Sequence, residues 1–340
     1  MSRPPLEVVG VGEPLTLFEP AEAGPLEGSG RFTMRMAGAE VNLLIGLARL
    51  GHRVGLCSAV GDDPFGAFVL DTLRSQGVAV DGVRTDAERP TGVFFKEITG
   101  DDRRRVFYYR QGSAAAALAS DAVDEAFARS PRYLVVSGLT LGLGGPDGLG
   151  ATAVAAIRRA RAAGTGVVFD ANLRPGIWDG ATARRQFAEL RGAFDLVLAG
   201  REELAALIPD ADPIDAAEEL VRTGCDGVVV KQGARGSVVV DHRGVQVVPA
   251  LLVNRPVDPV GAGDAFAAGV VSGLLRGWDL TRAARLGAVL GAEVVASRGD
   301  WEGLPGPARA EALLAQLPEA TTEAATEATD GAADLGEAVR

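Results

Sequence analysis

Cysteine and histidine are nearly missing from this chain, with two of each in 340 residues. Cys57 and Cys225 both stand in apolar stretches, which argues against a disulfide framework or a Cys-based metal site and for a reducing cytoplasm. His52 and His242 stand alone, without ligand spacing, and read as solvent-facing side chains. Lys and Arg never form a block, and 34 basic against 45 acidic residues leave a formal charge of −11. Nucleic acid and anionic membranes are thereby set aside as partners; an anionic substrate would need arginines placed locally. No apolar run reaches membrane-spanning length, and the N-terminus shows no basic region followed by an apolar one. There is no G-x-x-x-x-G-K-[ST] stretch, which excludes a P-loop enzyme. Val8-Val9-Gly10-Val11-Gly12 begins like a dinucleotide-binding turn, but Leu15 takes the third glycine's place and no helix follows.

What the chain has in quantity is apolar sequence. At 47% hydrophobic and 23% charged, it can fill one large α/β domain with an appendage, or two ordinary domains. Short apolar runs at Leu134–Val136, Val167–Phe169, Leu196–Leu198 and Val228–Val230 alternate with helical patterns over Gly148–Ala163, Ala181–Leu190 and Ile214–Thr223. This alternation predicts an α/β fold with a doubly wound, mostly parallel sheet covered on both faces. Val41, Leu44, Ile45 and Ala48 recur at helical spacing and predict a core-facing helix over Ala39–Leu50.

Two segments, Leu15–Met36 and Gly92–Tyr109, break this rhythm and read as strands with no helix between. Val93–Ile98 and Arg105–Tyr109, around the polar turn Thr99–Arg104, predict a hairpin. Together the segments at about 15–36 and 92–112 predict a small β-rich lid, a device that excludes water during transfer chemistry. From Glu319 onward Glu, Ala, Thr, Asp and Gly dominate, with six acids and one arginine. The folded domain is therefore expected over 1–318 and a disordered acidic tail over 319–340.

One stretch carries more chemistry than the rest: Asp258-Pro259-Val260-Gly261-Ala262-Gly263-Asp264, ahead of an apolar helix from Ala265 to Leu275. Small residues let a ligand approach the backbone, and free N–H groups at a helix start bind anions such as phosphate. Asp264 in that turn is either a helix cap or a base that takes a proton from the group attacking phosphorus. Lys231-Gln232-Gly233-Ala234-Arg235-Gly236 follows a parallel strand, where α/β proteins place nucleotides, although a plain β-turn would look similar. Tyr108 and Arg110 share one face of a strand, with Val106 beside them. They suit a hydroxylated, carboxylated ligand, or else belong to a solvent-facing strand pair. Arg174, after the strand ending near Asp170, offers a second guanidinium for a carboxylate clamp.

Asp258–Asp264 and its helix resemble the C-terminal signature of the ribokinase/PfkB sugar-kinase superfamily, and the resemblance runs from about Val8 to about Pro305. Within it, Gly12–Leu15, Gly38–Asn42, Val60–Gly66, Val106–Ser113, Asn172–Arg174 and Arg298–Asp300 look most like 2-keto-3-deoxygluconate kinases. The resemblance implies a ribokinase-like fold and ATP-dependent phosphorylation of a primary sugar-acid hydroxyl, with Mg²⁺, and pairing of copies through the lid. It implies Asp264 as the base and the N–H groups of Gly261, Ala262 and Gly263 as the anion hole. Gly38, Asn42, Phe94, Tyr108, Arg110, Arg174 and Asp300 would hold the sugar. Lys231, Gly233, Arg235 and Gly236, with Gly261 and Gly263, would bind the nucleotide, and Glu203 would serve the metal.

The chain departs from the family pattern at four places. Ala37-Gly38 replaces a Gly-Gly pair, Phe94 replaces a frequent tyrosine, Gly200 replaces the asparagine of Asn-x-x-Glu, and Ala288 replaces a frequent asparagine near the adenine. The rival readings are a kinase for ribose, fructose or a related sugar, and a sugar- or nucleotide-binding protein with weakened catalysis.

Overall fold

Segments such as Gly166–Asp170 and Gly227–Lys231 are apolar almost throughout because both faces of their sheet are covered by helices. The computed structural model describes residues 4–22, 24–98, 104–174 and 176–321. Thirteen strands form two sheets within these residues. The larger sheet takes β1 (Val8–Val11), β4 (Val54–Gly61), β5 (Val78–Asp86), β8 (Tyr133–Ser137), β9 (Gly166–Asp170), β10 (Leu196–Gly200), β11 (Gly227–Lys231), β12 (Ser237–Asp241) and β13 (Gly244–Val248). The smaller takes β2 (Leu15–Pro20), β3 (Phe32–Ala37), β6 (Val93–Ile98) and β7 (Arg104–Tyr109).

The larger sheet runs β13-β12-β11-β10-β9-β8-β1-β4-β5, parallel except where β12 pairs with β11 and β13. From β1 the chain first winds outward through β4 and β5, then returns to β8 on the other side of β1. That reversal opens a crevice at the carboxyl ends of β1 and β8, where open α/β sheets hold ligands. Alternate residues feed two cores: Val9, Val167, Phe169 and Val228 on one face, and Val8, Val168 and Val229 on the other. The fold class is the one the alternation predicts.

The expected helices appear at Ala39–Arg49, Leu149–Ala163, Gly180–Leu190 and Pro213–Arg222. The helix expected from Ala265 begins at Ala262 instead. Gly261 takes a left-handed conformation, φ +80°, and turns the chain so that Ala262, Gly263 and Asp264 are already helical. The smaller sheet has the order β3-β2-β6-β7, with Phe94 opposite Tyr108 and Lys96 opposite Val106. Of the expected turn Thr99–Arg104, residues 99–103 lie outside the described residues.

Two expectations need correction. The start of the acidic tail is packed: Thr321 exchanges two backbone hydrogen bonds with Val247, and Glu319 pairs with Arg285 at 2.7 Å. Backbone pairing to the edge strand β13 overrides the polar composition there, and residues 322–340 lie outside the described residues. His52 is not solvent-facing, since its Nε2 meets Ser272 Oγ at 2.8 Å and its Nδ1 faces Glu7. Both thiols are buried, and burial pushes Cys57 up to about 12 and Cys225 to about 11, so neither is a reactive thiolate.

Candidate active site

The crevice between the two sheets gathers residues from across the chain. Gly38, Asn42, Phe94, Tyr108, Arg110, Arg174, Gly261, Asp264 and Asp300 line one cleft, of about 110 Å³. A larger groove of about 820 Å³, lined by Arg243, Trp278 and Arg282 among others, contains none of the expected site residues. Shared chemistry, rather than size, marks the site.

Asp264 lies in the first turn of the helix Ala262–Leu275. Its Oδ2 accepts Asn42 Nδ2 at 2.8 Å and its Oδ1 accepts Asn172 Nδ2 at 3.4 Å. Asn172 holds φ +34°, a left-handed turn that asparagine tolerates better than most residues. No backbone N–H of its own helix start bonds to the Asp264 side chain, so it does not cap that helix. Burial raises the Asp264 pKa well above the usual carboxylate value; Asp170 and Asp300 add to this, against Asn42 and Lys231.

Gly261 admits no other residue on two counts. Its φ is +80°, and a Cβ would lie 1.9 Å from the Asp300 carbonyl oxygen. Among the described residues the N–H groups of Gly261 and Gly263 have no hydrogen-bond acceptor, whereas Ala262 N donates to Pro259 O at 3.2 Å. The expected three-donor anion hole is thus corrected: closing the turn engages Ala262, leaving Gly261 and Gly263 to face a ligand. Gly38 is similarly constrained, since a Cβ would meet Glu13 O at 2.5 Å.

Lys231 ends β11 beside this turn, and its Nζ would stand 3.8 Å from a Cβ at Gly263. It pairs with Asp170 at 2.7 Å. Burial alone would lower its pKa, but Asp170 and Glu203 outweigh it and raise it. Gly233, Arg235 and Gly236 form the short turn after β11 and do not line the cleft.

Both oxygens of Glu203, the residue expected to serve the metal, already have backbone partners, so any contact with an ion would run through water. Glu203 Oε2 accepts Gly200 N at 2.6 Å and its Oε1 accepts Leu173 N at 2.9 Å, so it caps one helix and pins the loop carrying Arg174. Among the described residues no three Asp, Glu, His or Cys side chains could hold an ion. A Mg²⁺ held mainly by nucleotide phosphates and water would need only carboxylates nearby, and Asp170 and Glu203 are the acids beside Lys231.

On the sugar side Phe94 and Tyr108 stack, with ring centroids 5.4 Å apart. Arg110 is already neutralised: its Nε meets Glu13 Oε2 at 2.7 Å, while Ser113 Oγ donates to Glu13 Oε1 at 2.6 Å. Arg174 is exposed at the cleft and has no ion pair among the described residues. Of the two arginines expected to clamp a carboxylate, Arg110 thus has a close internal partner, whereas Arg174 feels only the more distant charge of Asp170. Burial raises Asp300 to about 6, with Lys96 opposing and Asp258 adding to the shift.

Several polar residues, Asn172 and Thr140 among them, escaped the sequence reading of the site. Glu13, Glu40 and Lys96 line the cleft, and Asp170 holds Lys231. Glu40 Oε1 accepts Ser137 N, Ser137 Oγ and Thr140 Oγ1 at 2.9, 2.6 and 2.7 Å, and burial raises its pKa. Lys96 left a signal: in strand alternation it shares the inward face of Phe94, where a lone lysine among apolar neighbours is unusual. Asp63, within the family-like stretch after β4, is structural. It caps the helix Pro64–Ser75 through Gly66 N and holds Thr91 N, both at 2.8 Å.

A partly buried carboxylate above free helix-start amides, with a lysine alongside, suits phosphoryl transfer to a hydroxyl, which depends on positioning and charge stabilisation. The chain belongs to the pfkB family of carbohydrate kinases, whose family model matches residues 7–306. It is similar to proteins named 2-dehydro-3-deoxygluconokinase from Bacillus subtilis, 35% identical with 88% of this chain and 93% of that one covered, and from Thermoproteus tenax, 35% identical with 92% and 95% covered. A 5-dehydro-2-deoxygluconokinase from Clostridium tetani is 30% identical, with 89% and 91% covered. Among solved structures, a PfkB protein from Polaromonas is 37% identical with TM-score 0.81, covering 90% and 99%. An Escherichia coli protein titled Ribokinase II, solved with ATP and Mg²⁺, is 25% identical with TM-score 0.84, covering 92% and 99%. No described helix is long and apolar enough to cross a membrane.

Proposed function

We propose that this kinase phosphorylates the primary hydroxyl of 2-keto-3-deoxygluconate. Asp264 takes the hydroxyl proton as the oxygen attacks the γ-phosphorus, the bond to the β–γ bridging oxygen breaks, and ADP leaves. The N–H groups of Gly261 and Gly263 and the start of their helix receive the charge that develops on the phosphoryl oxygens. Lys231 carries a positive charge beside that turn. Asp170 and Glu203 would hold Mg²⁺ through water, and that ion would neutralise phosphate charge.

The observation that carries the choice of an acid is Arg174, an exposed guanidinium in the same cleft as Asp264 that makes no close ion pair among the described residues. Phe94 and Tyr108 offer a stacked wall to the carbon chain, and Asp300 an acceptor for hydroxyls. The two free, buried cysteines support a cytoplasmic location, and the small sheet acts as a lid. Its outer face carries Phe32, Phe95, Phe107 and Tyr109 around a groove that Glu27, Glu97 and Arg105 also line, and two copies pair there. Light scattering that reads a monomer at working concentration counts against the pairing.

Coupled ADP release across keto-deoxy acids, aldonic acids and neutral sugars tests the acceptor. The expected ranking puts 2-keto-3-deoxygluconate first; a neutral sugar at the head of the ranking refutes the reading.

The raised pKa of Asp264 sets a pH dependence. The base must be ionised, so kcat/KM falls as pH drops through its folded value, above the ordinary carboxylate range. The Asn42 hydrogen bond favours the ionised form and lowers that value. Asn42→Ala is therefore expected to move the acid limb of kcat/KM to higher pH. A limb that moves to lower pH, or stays in place, removes Asp264 from the role.

A further inference from the structure

Lys96 is a cation that the scheme above does not use. Carried on β6, it is 3% exposed and lines the cleft. Its Nζ donates to Asp258 Oδ2 at 2.5 Å and lies 3.9 Å from Asp300 Oδ1. Asp258 is 2% exposed, and its Oδ1 accepts the N–H of Val260 at 3.0 Å, one residue before Gly261. From the other side, the Asp300 backbone closes directly on Gly261. A continuous set of contacts thus runs from a strand of the small sheet, through one ammonium and two aspartates, to the amides that face the phosphate.

The same seam is tied elsewhere. Arg35 of β3 pairs with Glu302 at 2.6 Å, and Trp301 Nε1 donates to Met36 O at 2.7 Å. The small sheet and the 300–302 loop are therefore held together on this side, with Lys96 as the contact that reaches the anion turn itself.

Electrostatics gives the contact a second purpose. Asp258 holds Val260 N–H in place, yet an uncompensated buried carboxylate beside an anion site would repel the transferring phosphoryl group. An ammonium paired to it keeps the turn ordered without charging it.

We propose that Lys96 is a positioning residue for phosphoryl transfer: it fixes the anion turn through Asp258, cancels that carboxylate's charge, and so makes assembly of the anion site depend on the seating of the small sheet. The claim holds for whichever sugar is the acceptor.

Three variants test it: Lys96→Met, Lys96→Arg, and Lys96→Met combined with Asp258→Asn. Amide hydrogen exchange at Val260 and Ala262, the amides of this turn that have acceptors, is read in ligand-free protein, and kcat and KM with ATP and the best acceptor of the panel. Lys96→Met is expected to speed exchange at these amides and to lower kcat by about 10- to 100-fold, with sugar KM within about threefold. Lys96→Arg should keep most of the rate. The double variant should lose less than the two single losses combined, because the buried charge is removed with its partner. If Lys96→Met does not fold, Lys96→Arg and the charge-balanced double variant carry the comparison. Unchanged exchange at the turn would overturn the proposal, and so would a raised sugar KM with intact kcat, which would mean that Lys96 contacts sugar directly. A neutral sugar as best acceptor would refute the sugar-acid reading and leave this test intact.

Discussion

Asp264→Asn is expected to lower kcat by roughly 10² to 10⁴, the usual contribution of a positioned base. Sugar KM should stay within a few-fold, because the cleft contacts come from other residues such as Tyr108 and Arg174. Stability should be nearly unchanged, since the replacement keeps an oxygen that can accept from Asn42. The result separates chemistry from packing. A variant with near-normal turnover and a lowered melting temperature would make Asp264 a structural carboxylate and end the mechanism.

Arg174→Ala is expected to raise KM for a keto-deoxy acid by tens-fold, with little change for a sugar lacking the carboxylate. Losing one charge-assisted partner of a carboxylate costs about 1.5–3 kcal/mol, roughly ten- to a hundredfold in affinity. Arg174 is exposed and makes no close ion pair among the described residues, so its removal should not harm folding. Arg110→Ala should behave differently. It leaves Glu13, 3% exposed, without its counter-ion, and breaking a buried pair costs about 3–5 kcal/mol of stability. A lowered melting temperature and losses on every substrate are expected there. Equal losses on charged and neutral sugars for Arg174→Ala would return that residue to the surface.

The contrast between the two arginines shows where sequence reading reaches and where it stops. Period-2 alternation in Val106–Arg110 correctly put Tyr108 and Arg110 on one face, and β-branched runs located strands such as Gly227–Lys231. Both are local properties of the chain. The partner of Arg110 lies 97 residues away, and that of Lys96 lies 162 away. Nothing in a local pattern says which carboxylate a buried cation will find. Glu203 is the same case: four residues suggested a metal neighbour, but its second oxygen holds Leu173 N, 30 residues away. Ala262 failed for another reason, because whether its N–H is free depends on how tightly the turn from Pro259 closes. Thr321 marks the limit of composition, since a polar tail start can still pair with the exposed edge of β13.

The central claim is that this cleft moves a phosphoryl group from ATP to the primary hydroxyl of a sugar acid, with Asp264 as base. Phosphorus-detected NMR of the product formed from ATP and 2-keto-3-deoxygluconate tests it most directly. A phosphate ester on the primary carbon couples to two protons, and that splitting is the expected result, accumulating roughly 10²- to 10⁴-fold more slowly with Asp264→Asn. A phosphate coupled to a single proton would place transfer on a secondary hydroxyl, and no phosphorylated acid at all would contradict the account.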